Sequence, residues 1–192
     1  IPINQAGRDV LYTLNPREPK FFPLSIAAMA KVFHAAGESW TLSTNMYDVT
    51  NYAYFSSKPE HAEVIAQRMF EEIKKLDAKK LVLAECGHGI RANRWEGPNY
   101  IGKAFPETVT SVELMASYIK SGKIKTDKNK NQGIYTLHDP GNLVRSGGVV
   151  EPQRYVLEQS VEKFVEMTPN KLDNFCCGGG GGQLAMSEYN ER

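Results

Sequence analysis

Short apolar runs alternate along this chain with segments of helical period, and that alternation restricts the possible folds more than any other feature. Residues 8–14 (RDVLYTL), 40–43 (WTLS), 80–85 (KLVLAE), 133–137 (GIYTL) and 163–167 (KFVEM) have strand length and strand composition. Between the first two, Pro23 opens a stripe of Ile26, Met29, Ala30 and Phe33 at i, i+3, i+4, i+7, and Gly37 closes it. Ser57-Lys58-Pro59-Glu60 reads as a capping box for a helix with the stripe Ala62, Ile65, Ala66, Met69, Ile73 and Leu76. Thr110-Ser111-Val112-Glu113 reads as a second capping box, and residues 151–160 have helical character. This order predicts an α/β, Rossmann-like fold: a largely parallel sheet flanked by helices, with the ligand site at the carboxyl edge of the strands.

With 192 residues the chain suits a single domain, residues 1–192. Lys and Arg number 23 against 22 Asp and Glu, which removes the electrostatic case for a nucleic-acid binder. No apolar run approaches membrane-spanning length, so direct membrane insertion is not expected, and the first residues do not read as a signal peptide. Ile1 in place of Met, and a last segment that reads as an interrupted helix, suggest a piece of a longer protein. Three cysteines, an odd number without a secretory signal, fit reduced thiols in a cytoplasmic setting better than a disulfide framework.

The chemistry-bearing residues follow the predicted strands. Cys86-Gly87-His88-Gly89 follows the third run, His138-Asp139-Pro140-Gly141-Asn142 the fourth, and Cys176-Cys177 lies a short loop beyond the fifth. In an open parallel sheet these ends would share one rim, so residues ninety positions apart could meet there. Adjacent cysteines before Gly178, Gly179 and Gly180 sit where backbone approaches a bulky group closely, and thiolates suit iron–sulfur clusters or zinc. Two small buried thiols beside a glycine linker fit the same residues. Asp139-Pro140-Gly141 reads first as turn chemistry, and His138 remains the candidate catalytic proton source. Arg91, Arg94 and Trp95 either hold an anionic substrate or form an ordinary helix surface.

The run from His138 to Asn142, then Arg145, then Phe175-Cys176-Cys177-Gly178 resembles the cysteine-rich CCG domain of heterodisulfide reductase catalytic subunits and related iron–sulfur oxidoreductases. The resemblance extends over most of the chain from about Asp9, and is closest to the heterodisulfide-reductase-like subunits of membrane redox complexes of sulfate reducers. It implies Cys86, Cys176 and Cys177 as ligands of a [4Fe-4S]-type cluster in the full-length protein, with Gly178, Gly179 and Gly180 around it. It also implies electron transfer to or from a disulfide, its dithiol or a related sulfur substrate. The implied partners are other subunits of a redox complex, including a membrane cytochrome, and a small thiol or sulfur-carrier protein as substrate. Localisation would then be cytoplasmic, at the inner membrane face through those partners. A ferredoxin-type domain is expected upstream and a terminal Cys-x-x-Cys downstream.

Two departures stand out. Gly141 occupies the position of the family's first cysteine in this motif, with 34 residues between it and Cys176, and Gly89 the second of the Cys-x-x-Cys in the preceding half. Three cysteines are one short of a four-thiolate shell, so a fragment that is empty, or that holds zinc with His88 or His138, stays open. So does a noncatalytic docking or relay domain. Cys86-Gly-His-Gly-Ile-Arg91 also resembles a phosphatase loop, but four residues intervene where five are usual.

Overall fold

The computed structural model describes residues 1–48, 53, 56–84 and 86–178. Its centre is a four-stranded, all-parallel sheet of β1 (Val10–Thr13), β2 (Trp40–Leu42), β3 (Lys80–Leu83) and β4 (Glu107–Thr110), in the order β2-β1-β3-β4. Both faces are covered, which is why the central strands read as continuous apolar runs instead of alternating ones. On one face Val10, Tyr12 and Val82 pack with Met29 and Phe33 of α2 (Pro23–Ala35) and with Leu114 and Tyr118 of α6 (Ser111–Lys120). On the other, Leu11, Leu81 and Leu83 pack with Met69, Ile73 and Leu76 of α3 (Pro59–Leu76) and with Ile90. Single-residue alternation along β1 and β3 therefore feeds two cores from one sheet.

A short helix, α1 (Arg17–Phe21), precedes α2. After β3 the chain enters a continuous helical stretch: α4 (Gly87–Arg91), a π-helical turn (Ala92–Glu96) and α5 (Gly97–Ile101), the last packing on α3. No helix among the described residues is long and apolar enough to cross a membrane.

Two expectations are corrected here. The runs at 133–137 and 163–167 do not extend the main sheet: β5 (Ile134–Tyr135) and β6 (Lys163–Phe164) form their own two-stranded parallel ribbon. They are joined by a crossover that contains α7 (Glu151–Ser160), and α7 docks on α6. Of the three motif-bearing segments, only that of Cys86 therefore follows a strand of the main sheet. Ser57 does not cap α3 either: its φ is 55°, the N-cap is Lys58 in extended conformation, and Pro59 opens the helix. At Thr110 the capping box is complete, its hydroxyl accepting from the Glu113 N–H and Glu113 accepting from the Thr110 N–H.

Candidate functional site

Cys86 lies just past the carboxyl end of β3, beside β1, where the strand order reverses and open α/β sheets form their ligand crevice. Its backbone is extended and its half-buried sulfur accepts the Gly89 N–H at 3.3 Å, so the thiol is the N-cap of α4. A hydrogen bond from an amide favours thiolate over thiol. His88 follows, with its pKa held below the ordinary 6.5 by burial and, secondarily, by the charge of Arg91.

The cationic residues expected to hold an anion are engaged within the fold. Arg91 Nη2 lies 2.5 Å from Glu96 Oε1. Arg94 donates to the Thr108 carbonyl at 3.0 Å and to Glu113 at 2.6 Å, tying the π turn to β4 and α6. Trp95 is at the surface, with Arg94 over its ring.

Residues 139–148 form a succession of tight turns. The Pro140 carbonyl accepts from Leu143 and Val144 N–H groups at 3.0 and 2.8 Å, and Gly141 C=O from Ser146 at 3.0 Å. Turn chemistry at Asp-Pro-Gly is thus observed, but Asp139 does more than start it. Its side chain is buried, and its oxygens accept two bonds from the buried Arg154 of α7, at 2.9 and 2.7 Å, and one from the Lys171 N–H at 2.6 Å. Arg154 also donates to Glu166 at 2.6 Å. The Arg154 bond, first among the causes, holds the Asp139 carboxyl below the ordinary 3.8 despite burial. Sequence reading missed Arg154 and Glu166; the signal available was a lone Asp on the edge of a turn that needs a cationic partner once buried.

This turn is where the cysteine-bearing loops meet. On one side, a Cβ added to Gly87 would lie 2.5 Å from the Asn142 Cβ, so the residue after Cys86 packs directly on the turn. On the other, Arg145 donates to the Leu172 carbonyl at 3.1 Å and to both the main-chain carbonyl and Oδ1 of Asn174, and Asn174 Nδ2 donates to the Asp139 carbonyl. Asn174 is two residues before Cys176. Cys176 and Cys177 themselves are exposed, and the Cys176 sulfur accepts the Gly178 N–H at 3.4 Å. His138 is exposed at the entrance to the turn. Gly179 and Gly180 lie outside the described residues.

The donor set can be tested for a metal or cluster. Thiols from two loops, two of them accepting backbone N–H bonds, are soft ligands of the kind that iron–sulfur centres and zinc take. They fit in kind and fall one short in number. Among the described residues no three His, Cys, Asp or Glu side chains stand together as a metal-ligating group. Position 141 has room: a Cβ built there meets nothing within 4 Å.

Comparison with known proteins finds similarity to subunits of redox enzymes. The chain is 41% identical over 123 residues to one of the subunits of the dihydromethanophenazine:CoB–CoM heterodisulfide reductase of Methanosarcina mazei, covering 63% of this chain and 30% of that one. It is 26% identical over 224 residues to an Hdr-like menaquinol oxidoreductase iron–sulfur subunit of Archaeoglobus fulgidus, covering 95% of this chain and 40% of that one. A match at 28% identity to the EtfAB:quinone oxidoreductase of Syntrophomonas wolfei covers 84% of this chain and 22% of that protein. The chain thus spans well under half the length of these curated relatives. No family model matches it, and no solved structure matches it.

Proposed function

We propose that this chain, a relative of heterodisulfide-reductase-like iron–sulfur subunits, is the cysteine-rich part of an iron–sulfur oxidoreductase subunit acting on a disulfide, its dithiol or a related sulfur substrate. The observation that carries the reading is the junction at the 139–145 turn. Segments bearing Cys86 and Cys176-Cys177, far apart in sequence and on different structural units, are both fastened to it.

In this reading Cys86, Cys176 and Cys177 hold the cluster in the whole protein, with Gly178, Gly179 and Gly180 beside it. A bound iron–sulfur cluster supplies one-electron transfer. The chain's own residues do the rest. The amide N–H groups of Gly89 and Gly178 donate to the sulfurs of Cys86 and Cys176, contacts that orient these sulfurs as ligands. Reducing a disulfide RSSR′ breaks one S–S bond, takes two electrons and two protons, and releases RSH and R′SH. In this reading the exposed His138 imidazole donates one of those protons to a leaving thiolate, and solvent supplies the other. The electrons come from other subunits of a redox complex, a membrane cytochrome among them, at the cytoplasmic face. The substrate is a small thiol or a sulfur-carrier protein.

Gly141 favours a second reading, a docking or relay module that has lost a ligand, since the family's cysteine is replaced where the fold leaves room for one. One assay separates them. The native protein, purified without oxygen, is assayed for iron, acid-labile sulfide and zinc and examined by electron paramagnetic resonance. Iron and sulfide in near-stoichiometric amount, with the signal lost in Cys177→Ser, is the expected result. Zinc alone, or no metal in the native protein, overturns the redox reading.

A further inference from the structure

We propose that Asn174 is a positioning residue that sets Cys176 and Cys177 against the Cys86 loop through the turn at 139–142. The proposal rests on the reading of the three cysteines as one ligand set and adds the residue that registers its halves.

Asn174 is 3% exposed, whereas its neighbours Asp173, Phe175, Cys176 and Cys177 are all exposed. It buries no apolar group, so its burial is justified by hydrogen bonding alone, and both ends of its amide are used. Nδ2 donates to the Asp139 carbonyl, and Oδ1 accepts from Arg145 Nη2 at 3.1 Å. Few side chains satisfy that pair of demands. Asp offers no donor and would set a negative oxygen against a carbonyl; Ala offers neither partner and leaves the Asp139 carbonyl and an Arg145 donor without this bond.

The anchor is also close enough to matter. A residue advances at most about 3.6 Å along an extended chain, so Cys176 stays within about 7 Å of Asn174, Cα to Cα. On the far side of the same turn, three residues beyond Asp139, Asn142 lies against Gly87, the residue after Cys86. The path from one thiol loop to the other is therefore Cys176, Asn174, Asp139, Asn142, Gly87, Cys86, crossing between segments twice, once by hydrogen bonds and once by packing. The Asp139 side chain is fixed independently by Arg154, so the link between the loops has a rigid base.

The experiment uses the native protein with Asn174→Asp, Asn174→Ala and, from the other side of the turn, Gly87→Ala. Phe175→Ala, adjacent in sequence but 77% exposed, is the control. After removal of metal, a short bifunctional thiol reagent is applied and cross-linked peptides are mapped. After reloading with iron and sulfide, iron affinity and midpoint potential are measured, with circular dichroism confirming the fold. Wild type and Phe175→Ala are expected to give a Cys86 to Cys176 or Cys177 cross-link; the Asn174 and Gly87 variants lose it. Their iron affinity falls about 10- to 100-fold, as for residues that orient ligands, and the midpoint potential shifts. An unchanged cross-link yield and potential in a folded Asn174→Asp overturns the proposal, as does the absence of any such cross-link in wild type. Should the Asn174 variants not fold, an unchanged cross-link in Gly87→Ala has the same force. The cross-link needs no metal, so its failure is distinguishable from a failure of the iron–sulfur reading, which shows as wild-type protein without iron.

Discussion

Arg154 grips Asp139 with two guanidinium nitrogens, Nη1 to Oδ1 at 2.9 Å and Nη2 to Oδ2 at 2.7 Å, and both side chains are buried. Removing one partner leaves an uncompensated charge out of water. Arg154→Leu is therefore expected to destabilise the fold by about 3–5 kcal/mol. The double variant Arg154→Leu, Asp139→Leu should recover a large part of that loss, because neither charge remains. Urea unfolding of the two variants measures the difference; a double variant less stable than Arg154→Leu would contradict it.

The same pair gives a pH dependence with a definite sign. Asp139 titrates lower in the folded protein than its ordinary 3.8, first because of the Arg154 bond, so the unfolded chain binds the proton more readily. The stability this contributes is fully present above 3.8 and is lost as pH falls through the folded value. Asp139→Asn should be less stable near neutrality and show a flatter acid limb in a plot of urea midpoint against pH.

His88 adds a second acid-side effect at higher pH. Its folded pKa lies below 6.5 because burial and then Arg91 oppose the imidazolium, so here too the unfolded state binds more protons. Stability is unaffected by this group above 6.5 and declines as pH falls from there toward the folded value. In His88→Gln that part of the profile should be flat, and nuclear magnetic resonance titration of the wild-type imidazole should give a midpoint below 6.5.

Two glycines near the junction should respond in opposite ways to alanine. At Gly87 the new methyl would stand 2.5 Å from the Asn142 Cβ, a distance that forces the loops apart. About 1–3 kcal/mol of destabilisation is expected, as for overpacking elsewhere. At Gly141 the methyl meets nothing within 4 Å and φ is outside the left-handed region, so alanine should be neutral or stabilise by up to about 1 kcal/mol. Thermal melts of both variants check the contrast.

Thr110→Ala removes the hydroxyl that accepts the Glu113 N–H and so opens the capping box of α6. A loss of about 1 kcal/mol is expected, measurable as a lowered urea midpoint at unchanged slope.

The parts of the fold legible in the sequence were those written in local pattern. Val10–Thr13, Trp40–Leu42 and Lys80–Leu83 are apolar because both faces of the sheet are covered, and α7 runs over the predicted 151–160. Glu107–Thr110 escaped notice because ETVT has no apolar run; it is a half-exposed edge strand held by register with β3. Partnership between strands is not a local property, so nothing in GIYTL or KFVEM showed that they pair with each other and not with β3 or β4. The site divides likewise. Cys86, Cys176 and Cys177 stand out by residue type as candidates, and the segments that carry them do share the 139–145 turn, but through contacts other than a common sheet edge. Arg154 sits among polar neighbours in α7 and looks like a solvated face, although it is 3% exposed.

The parallel pairing of β5 and β6 places the 139–145 turn inside a crossover connection. A parallel pair cannot close as a hairpin does; between Ile134 and Lys163 the chain must pass through α7 and return. The cost of closing that loop comes before any of its contacts form. Glu166, Lys171 and Asn174, which complete the network around Asp139, all lie beyond that point. During synthesis the Cys86 loop therefore emerges well before Glu166, Lys171 and Asn174, and the network around Asp139 closes only when that later part of the chain is present.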